Sequence, residues 1–502
     1  MSDTADIVII GSGTGGATLA RGLADTGARL LILERGEHLR DSPETRDARA
    51  IFQRNVFRPD ETWYDRDGQG FNPGNYYYVG GNSKFYGAVL MRYRAEDFAP
   101  LEHAGGTSPG WPFDYAALEP WYARAEKLYA VRGAVGEDPT EPPRSSGYPY
   151  PPVPDEQPIA RTRELLRSAG LHPFSLPLGV DHQAWMRRAK TPWDAFPDTH
   201  SGKMDAETCA LDQALQNSRV RLRTGAQVLR LTTDSAGRRI QQVIYRCAGE
   251  EHRVAPKLVV LAAGAVNSAA LLLRSANSAR PAGLANSSDQ VGRNFMNHNC
   301  TAMLAVDPRR PNDAVYQKTI GLNDFYLDDG AGGGPLGNVQ LLGKISGAIL
   351  KATLGLVPET LLSLLCRHSV DWYLMSEDLP DPRSRVRVDG ERIVLDWRHS
   401  NLNAHRRLVA RMRQVLRSIG FPLLLSKAFD RRTPSHQCGT LRMGNDPASA
   451  VLDPYCRSFD HENLYVVDAS FLPTSAAVNP ALTIAAQALR VADHIRRLDV
   501  AA

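Results

Sequence analysis

A glycine-rich turn near the N-terminus carries the first recognisable chemistry. Gly11-Ser12-Gly13-Thr14-Gly15-Gly16 follows the apolar run Asp6 to Ile10 and opens a helical pattern through Leu23, while the run Arg29 to Leu33 ends at Glu34. Small residues at a strand-to-helix turn let backbone N–H groups approach a pyrophosphate, whose charge the helix N-terminus stabilises. The acid closing the second strand suits ribose hydroxyls, so Gly11, Gly13, Thr14, Gly15, Gly16 and Glu34 form a candidate dinucleotide cradle. Glu34 disfavours a 2′-phosphate, with Arg35 beside it as a counterweight, which leaves FAD and NAD both open. Two further segments offer backbone to a nucleotide or a ring edge. One is the loop Gly80-Gly81-Asn82-Ser83-Lys84-Phe85-Tyr86-Gly87, and the other is the apolar stretch Leu258 to Ala265, which runs into Ala263 and Gly264. Either segment alone reads equally as a tight turn or a core strand.

The elements that must position these residues follow from periodicity. The opening is a βαβ unit, and Asp41 to Asn75 is irregular and punctuated by Pro43, Pro59 and Pro73, as surface structure or a lid. Eight of the twenty residues from Pro139 to Pro158 are proline, a density that marks a connector. Helices are expected at Ile159 to Ala169, Asp205 to Asn217, Leu402 to Ile419 and Ala481 to Leu498, with few periodic signals from Ala169 up to about His200. Strands are expected at Val220 to Leu222, Gln227 to Thr232, Lys257 to Ala263, Ile393 to Trp397 and Leu464 to Val467, and a hairpin joins Arg239–Arg246 to His252–Val254. Gly330 to Gly337 reads as a loop. The chain leaves a nucleotide-binding unit, builds a second one and returns. A discontinuous α/β dinucleotide-binding domain at 1–110, 205–300 and 437–502 interleaves with a second, α+β domain at 111–204 and 301–436.

Composition narrows the classes. A chain of 502 residues with 43% hydrophobic and 23% charged residues is ordinary globular usage, which excludes disorder and fibrous repeats. The net charge of +4 is scattered, so nucleic acid is not the implied partner. Six cysteines without a C-x-x-C pair or zinc-ligand spacing read as reduced thiols in a cytoplasmic protein, with no metal site. The short run Ile7 to Ile10 is no export signal. Gly347 to Cys366 is apolar but broken by Lys351, Pro358 and Glu359, so a buried or patch-forming helix is expected rather than a membrane span.

Three ordered motifs near the C-terminus make a resemblance specific: His436-Gln437-Cys438-Gly439-Thr440-Leu441-Arg442-Met443-Gly444, Asn463 to Ser470 (NLYVVDAS), and Asn479-Pro480-Ala481-Leu482-Thr483. With the N-terminal fingerprint, the Gly80 to Gly87 loop and the segment Val291 to His298 (VGRNFMNH), the chain resembles the glucose-methanol-choline (GMC) family of flavin-dependent oxidoreductases. The resemblance implies a Rossmann-like FAD-binding domain interleaved with an α+β substrate domain built on an antiparallel sheet, and places the paired active-site positions on His436 and Asn479. His436 would be the base that takes a hydroxyl proton, and Asn479 the amide that orients the substrate oxygen. It also puts Asp468, Ala469, Asn479, Pro480 and Thr483 beside the cofactor, and Val228 at the adenine. His298 reads as structural rather than catalytic, and Arg442 as an ion-pair anchor in preference to a residue near the site. Some family members attach FAD through a histidine in the second glycine loop, and Asn82 to Tyr86 contains none, so noncovalent FAD follows.

The Gly80 to Arg92 stretch and Asn rather than His at 479 resemble bacterial pyranose oxidases, the sugar and C-glycoside 3-oxidases and their dehydrogenase relatives, which implies oxidation of a secondary alcohol of a sugar or glycoside to a ketone. Oxygen, a quinone or another acceptor would then take the electrons. Alternatives are a gluconate-type dehydrogenase subunit serving a cytochrome or quinone, a non-redox flavoprotein lyase of the same family, or a flavin-binding protein without catalysis of its own. Trp63, Tyr64 and Tyr326 are candidates to stack on a pyranose ring, with core or lid packing as the other possibility.

Overall fold

The computed structural model describes residues 4–188, 195–199, 202–330, 332–430 and 436–500, so the expectation for the stretch up to His200 falls partly outside it. Short, unbroken apolar runs make the first sheet. Ile7–Ile10 (IVII), Leu30–Leu33 (LLIL) and Leu258–Leu261 (LVVL) are buried at every residue, the pattern of parallel strands covered on both faces. Five strands lie in the order Leu464–Val466, Leu258–Leu261, Ile7–Ile10, Leu30–Leu33, Val220–Arg223, all parallel. Each strand expected from the sequence here forms within a residue or two. The helices Thr14–Leu23 and Ala481–Ile495 pack against each other, and a Cβ on Gly22 would come 2.6 Å from that of Ala492, so their close approach depends on this glycine. The expected hairpin is present as Ile240–Cys247 paired with Glu250–Val254.

A second, antiparallel sheet has six strands: Leu423–Ala428, Asn299–Val306, Ser369–Ser376, Asn338–Leu341, Ile320–Leu322 and Phe174–Ser175. Ser369–Ser376 is buried along its whole length and pairs with Asn299–Val306 from Asn299↔Ser376 to Val306↔Ser369. One face is covered by the helix Leu402–Ser418. Its buried Ala404, Leu408, Met412 and Leu416 recur every four residues, and each fully buried leucine or methionine contributes roughly 1.5–3 kcal/mol. The other face carries Glu359–Arg367, whose Cys366 joins Cys300, Leu304, Val306 and Tyr373.

Three features differ from the sequence expectation. The apolar stretch 347–366 is two short helices, Gly347–Lys351 and Glu359–Arg367, because Gly355 and Pro358 interrupt it. Its Leu354, Leu356, Leu361 and Leu364 are exposed. The segment 41–75 is ordered. Its helix Ala48–Phe52 leads to the strands Trp63–Asp65 and Gly70–Phe71, which join Arg392–Asp396 and Arg385–Asp389 in one sheet. That ladder links segments which the sequence assigns to different units. A helix the sequence did not announce, Tyr115–Leu128, spans Pro120 and precedes the proline-rich connector. No helix among the described residues is long and apolar enough to cross a membrane, and all six cysteines are free.

Candidate active site

One cavity of about 530 Å³ runs from the glycine turn to the C-terminal motifs. Of the residues singled out from sequence, Gly11, Gly13, Thr14, Gly15, Glu34, Arg35, Gly81, Asn82, Ser83, Val228, Ala263, Gly264, His436, Asp468, Ala469, Asn479 and Pro480 line it. Gly16, Gly80 and Thr483 do not. Thr483 is buried with its hydroxyl 2.8 Å from that of Tyr122, between helices.

The glycines divide by role. A Cβ on Gly15 would lie 1.9 Å from the Val467 carbonyl oxygen, and one on Gly16 2.1 Å from that of Gly11, so these two serve close backbone packing. A Cβ on Gly13 would meet nothing within 4 Å, leaving the N-terminus of Thr14–Leu23 open to the cavity. The helix offers free N–H groups where a pyrophosphate would sit, and Gly264, with φ +88, is likewise open. The residues present therefore fit a dinucleotide.

Glu34 is buried and already engaged: Oε2 accepts from Ser12 N at 3.0 Å and Ser12 Oγ at 2.7 Å, and Oε1 from Gly36 N at 2.9 Å. Burial pushes its carboxyl upward, and those three bonds oppose the shift. Ser12, which sequence reasoning passed over, also accepts from Gly80 N at 3.1 Å and so ties the second glycine loop to the first. Asp468 serves the protein in the same way. Its Oδ2 accepts from Gly264 N at 3.1 Å and Ser268 Oγ at 2.5 Å, while Oδ1 accepts from Ser470 N at 2.9 Å and caps the short helix Ala469–Phe471.

The other part of the cavity holds His436, Asn479, Lys318, Leu342, Tyr373 and Phe429. His436 has φ +66, a left-handed conformation that costs a non-glycine residue roughly 1–3 kcal/mol and persists where the surroundings enforce it. The enforcement is a two-residue ladder: Met296 N donates to Cys438 O at 3.0 Å, and Cys438 N to Met296 O at 2.9 Å. This antiparallel register sets His436 opposite His298, and their Nδ1 atoms lie 2.7 Å apart. Asn479 Nδ2 is 3.3 Å from His436 Nε2, and Asn479 Oδ1 accepts from Gln340 Nε2 at 3.0 Å. Burial, then the facing His298 and Lys318, hold His436 well below the ordinary imidazole range, so it is neutral near pH 7.

Several expectations need correction here. His298, read from the sequence as structural, is the direct neighbour of His436. Trp63 packs edge-on against Phe71, and Tyr326 is buried with its hydroxyl donating to Asp97. Neither faces the cavity, nor does Tyr64, and the aromatic rings that do include Tyr373, Phe429 and Phe52. Arg442 has no carboxylate partner among the described residues. With the Asn294 amide oxygen turned toward it, that oxygen accepts from Nε and Nη2 at 3.3 and 3.0 Å, and burial lowers the guanidinium to about 10. No cluster of His, Cys, Asp or Glu among the described residues is arranged to hold a metal ion.

Comparison with known proteins places the chain among relatives. Two family models described as GMC oxidoreductase match residues 190–300 and 380–488. The 6'''-hydroxyparomomycin C oxidase of Streptomyces lividus is 30% identical over 521 residues, covering 98% of this chain and 92% of that protein. The fructose dehydrogenase large subunit of Gluconobacter japonicus is 28% identical over 553 residues, covering 98% of each. Among solved structures, pyridoxine 4-oxidase from Mesorbium loti superposes with a TM-score of 0.70 at 20% identity, covering 98% of this chain and 99% of that one, and shares the fold.

Proposed function

The chain belongs to the GMC oxidoreductase family, flavoproteins that act on CH–OH groups, and from that premise we propose that it uses noncovalent FAD to oxidise a secondary alcohol of a sugar or glycoside to a ketone. The observation that carries the reading is the pairing of His436 with Asn479 in the cavity whose other end is the glycine cradle. Gly13, Gly81 and Gly264, which line the cavity, would offer backbone to the dinucleotide, and Val228 would border its adenine. When bound, FAD supplies a two-electron acceptor for the hydride on the carbinol carbon. Removing that hydride while the hydroxyl keeps its proton would leave a protonated carbonyl, so the chain must take the proton. In this reading His436, neutral and buried, takes it at Nε2, while an Asn479 amide N–H turns from His436 to hold the substrate oxygen. The homologues named as sugar and aminoglycoside oxidoreductases support a polyhydroxylated substrate.

The test is anaerobic addition of monosaccharides, O-glycosides, C-glycosides, aminoglycosides and simple alcohols to the yellow protein. A glycoside is expected to bleach the flavin, and failure of every alcohol to do so would overturn the reading. His436→Ala is expected to slow bleaching by roughly 10²–10⁴-fold. Prompt recolouring in air marks an oxidase, and recolouring only by a quinone or dye marks a dehydrogenase.

A further inference from the structure

The hydrogen-bond inventory around His436 closes from two independent directions. On one side, His298 Nε2 lies 2.8 Å from Ser475 O and 2.9 Å from Ala476 O. Backbone carbonyls only accept, so His298 Nε2 carries a proton. A neutral imidazole has one such proton, which leaves His298 Nδ1 as a lone pair, and His436 Nδ1 at 2.7 Å must donate to it. On the other side, the carboxylate of Asp138, ion-paired with Arg94 at 2.6 Å, can only accept. Asn323 Nδ2 donates to Asp138 Oδ2 at 2.8 Å, and Asn338 Nδ2 to Asn323 Oδ1 at 2.8 Å. Gln340 Nε2 then donates to Asn338 Oδ1 at 3.3 Å and to Asn479 Oδ1 at 3.0 Å. Each amide orientation forces the next, and the last leaves Asn479 Nδ2 directed at His436 Nε2. An N–H directed at that nitrogen requires it to be bare. Asn323, Asn338 and Gln340 are buried, so water does not scramble the chain.

We propose that His298 and the Asp138–Asn323–Asn338–Gln340 relay are positioning elements that lock His436 in the Nδ1–H tautomer, with an Nε2 lone pair that Asn479 holds at rest and that the substrate hydroxyl takes over on binding. The proposal rests on the reading of His436 as the base. In the step it serves, the substrate O–H bond breaks with its electrons staying on oxygen, and the proton forms an N–H bond at His436 Nε2. The Nδ1 proton remains in its bond to His298, so the new positive charge is shared toward a ring whose far nitrogen is held by two carbonyls. Burial keeps both imidazoles below their ordinary range, consistent with one proton on each in the resting site.

The direct test is nitrogen NMR of the FAD-loaded protein labelled with ring-¹⁵N histidine, with the His436 signals assigned by their loss in His436→Ala. The expected spectrum has His436 protonated at Nδ1 and bare at Nε2, and an Nε2–H form in the wild type overturns the proposal whatever the variants do. In His298→Phe the tautomers should mix. The rate of flavin bleaching by whichever sugar of the panel is active should fall roughly 100-fold in kcat, with KM changed less than about threefold. His298→Asn, which puts an amide oxygen near the old Nδ1 position, should recover much of that loss. If His298→Phe holds FAD and keeps the wild-type tautomer, kcat and pH profile, this proposal fails while the base assignment stands. If His436→Ala bleaches at the wild-type rate, the base assignment itself fails.

Discussion

His436 also sets the acid limit of the reaction. A general base works only when unprotonated, and burial with His298 and Lys318 nearby pushes its proton affinity down from the ordinary value of 6.5. The bleaching rate should therefore be flat through neutrality and fall only as pH drops well below 6.5, through the lowered value. Lys318→Met removes one like charge, so the acid limb should move to higher pH, and a pH series of stopped-flow bleaching reads this directly. At this scale the sequence revealed His436 and Asn479 because their motifs are contiguous. It could not reveal His298 as the partner, because that pairing depends on a two-residue ladder between Met296 and Cys438, and a single sequence carries no register. Gln340 was hidden for the same reason, as it enters from the antiparallel sheet.

The strand-turn-helix unit makes a contrast available in two neighbouring glycines. Gly13→Ala places a methyl where nothing lies within 4 Å, and φ there is an ordinary −67, so the variant should fold with an unchanged Tm yet retain much less FAD. Gly15→Ala drives a Cβ to 1.9 Å from the Val467 carbonyl, backbone against backbone, and should destabilise the fold by about 3 kcal/mol or more. Thermal melts with flavin content measured on the same samples separate the two effects.

The helix Leu402–Ser418 supplies a pH effect on stability. His405 is buried between Thr301 and Ser376, and burial lowers it from 6.5 to about 4. Between those values the unfolded chain binds a proton that the folded one does not. The stability present above pH 6.5 is therefore lost as pH falls toward 4, by about 3 kcal/mol from this group. His405→Gln should shrink the difference between urea midpoints measured at pH 7 and pH 4.5. This helix was legible from its four-residue spacing, and the parallel strands from their apolar runs. Tyr115–Leu128 was not, because Pro120 inside it reads as a breaker while Asp114 caps the helix by accepting from Ala117 N at 3.1 Å.

Over the whole molecule, leucines are exposed both within 354–364 and at Leu423 and Leu425. Those two residues pair with Val306 and Leu304 and so share the sheet face that Glu359–Arg367 covers. Leu356 is fully exposed, so Leu356→Ser should leave stability within about 0.5 kcal/mol in a denaturant melt. The apolar runs and the glycine turn announced an α/β fold, and the apolar stretch was visible too. Its exposure was not, because hydropathy alone does not say which side of two short helices faces the protein.

The strand order has a consequence for how the protein is made. Leu464–Val466 closes the parallel sheet against Leu258–Leu261, and His436, Asp468 and Asn479 reach the cavity from the same late stretch. A ribosome moving along the message must therefore deliver the glycine turn some 450 residues before the strand that seals it. Over roughly the last 200 residues of that interval Leu258–Leu261 has one unpaired edge, and the cofactor has only part of its wall. Such an intermediate is prone to join its neighbours edge to edge. The yield of yellow protein should thus be limited by translation speed and chaperone supply rather than by the final stability of the enzyme.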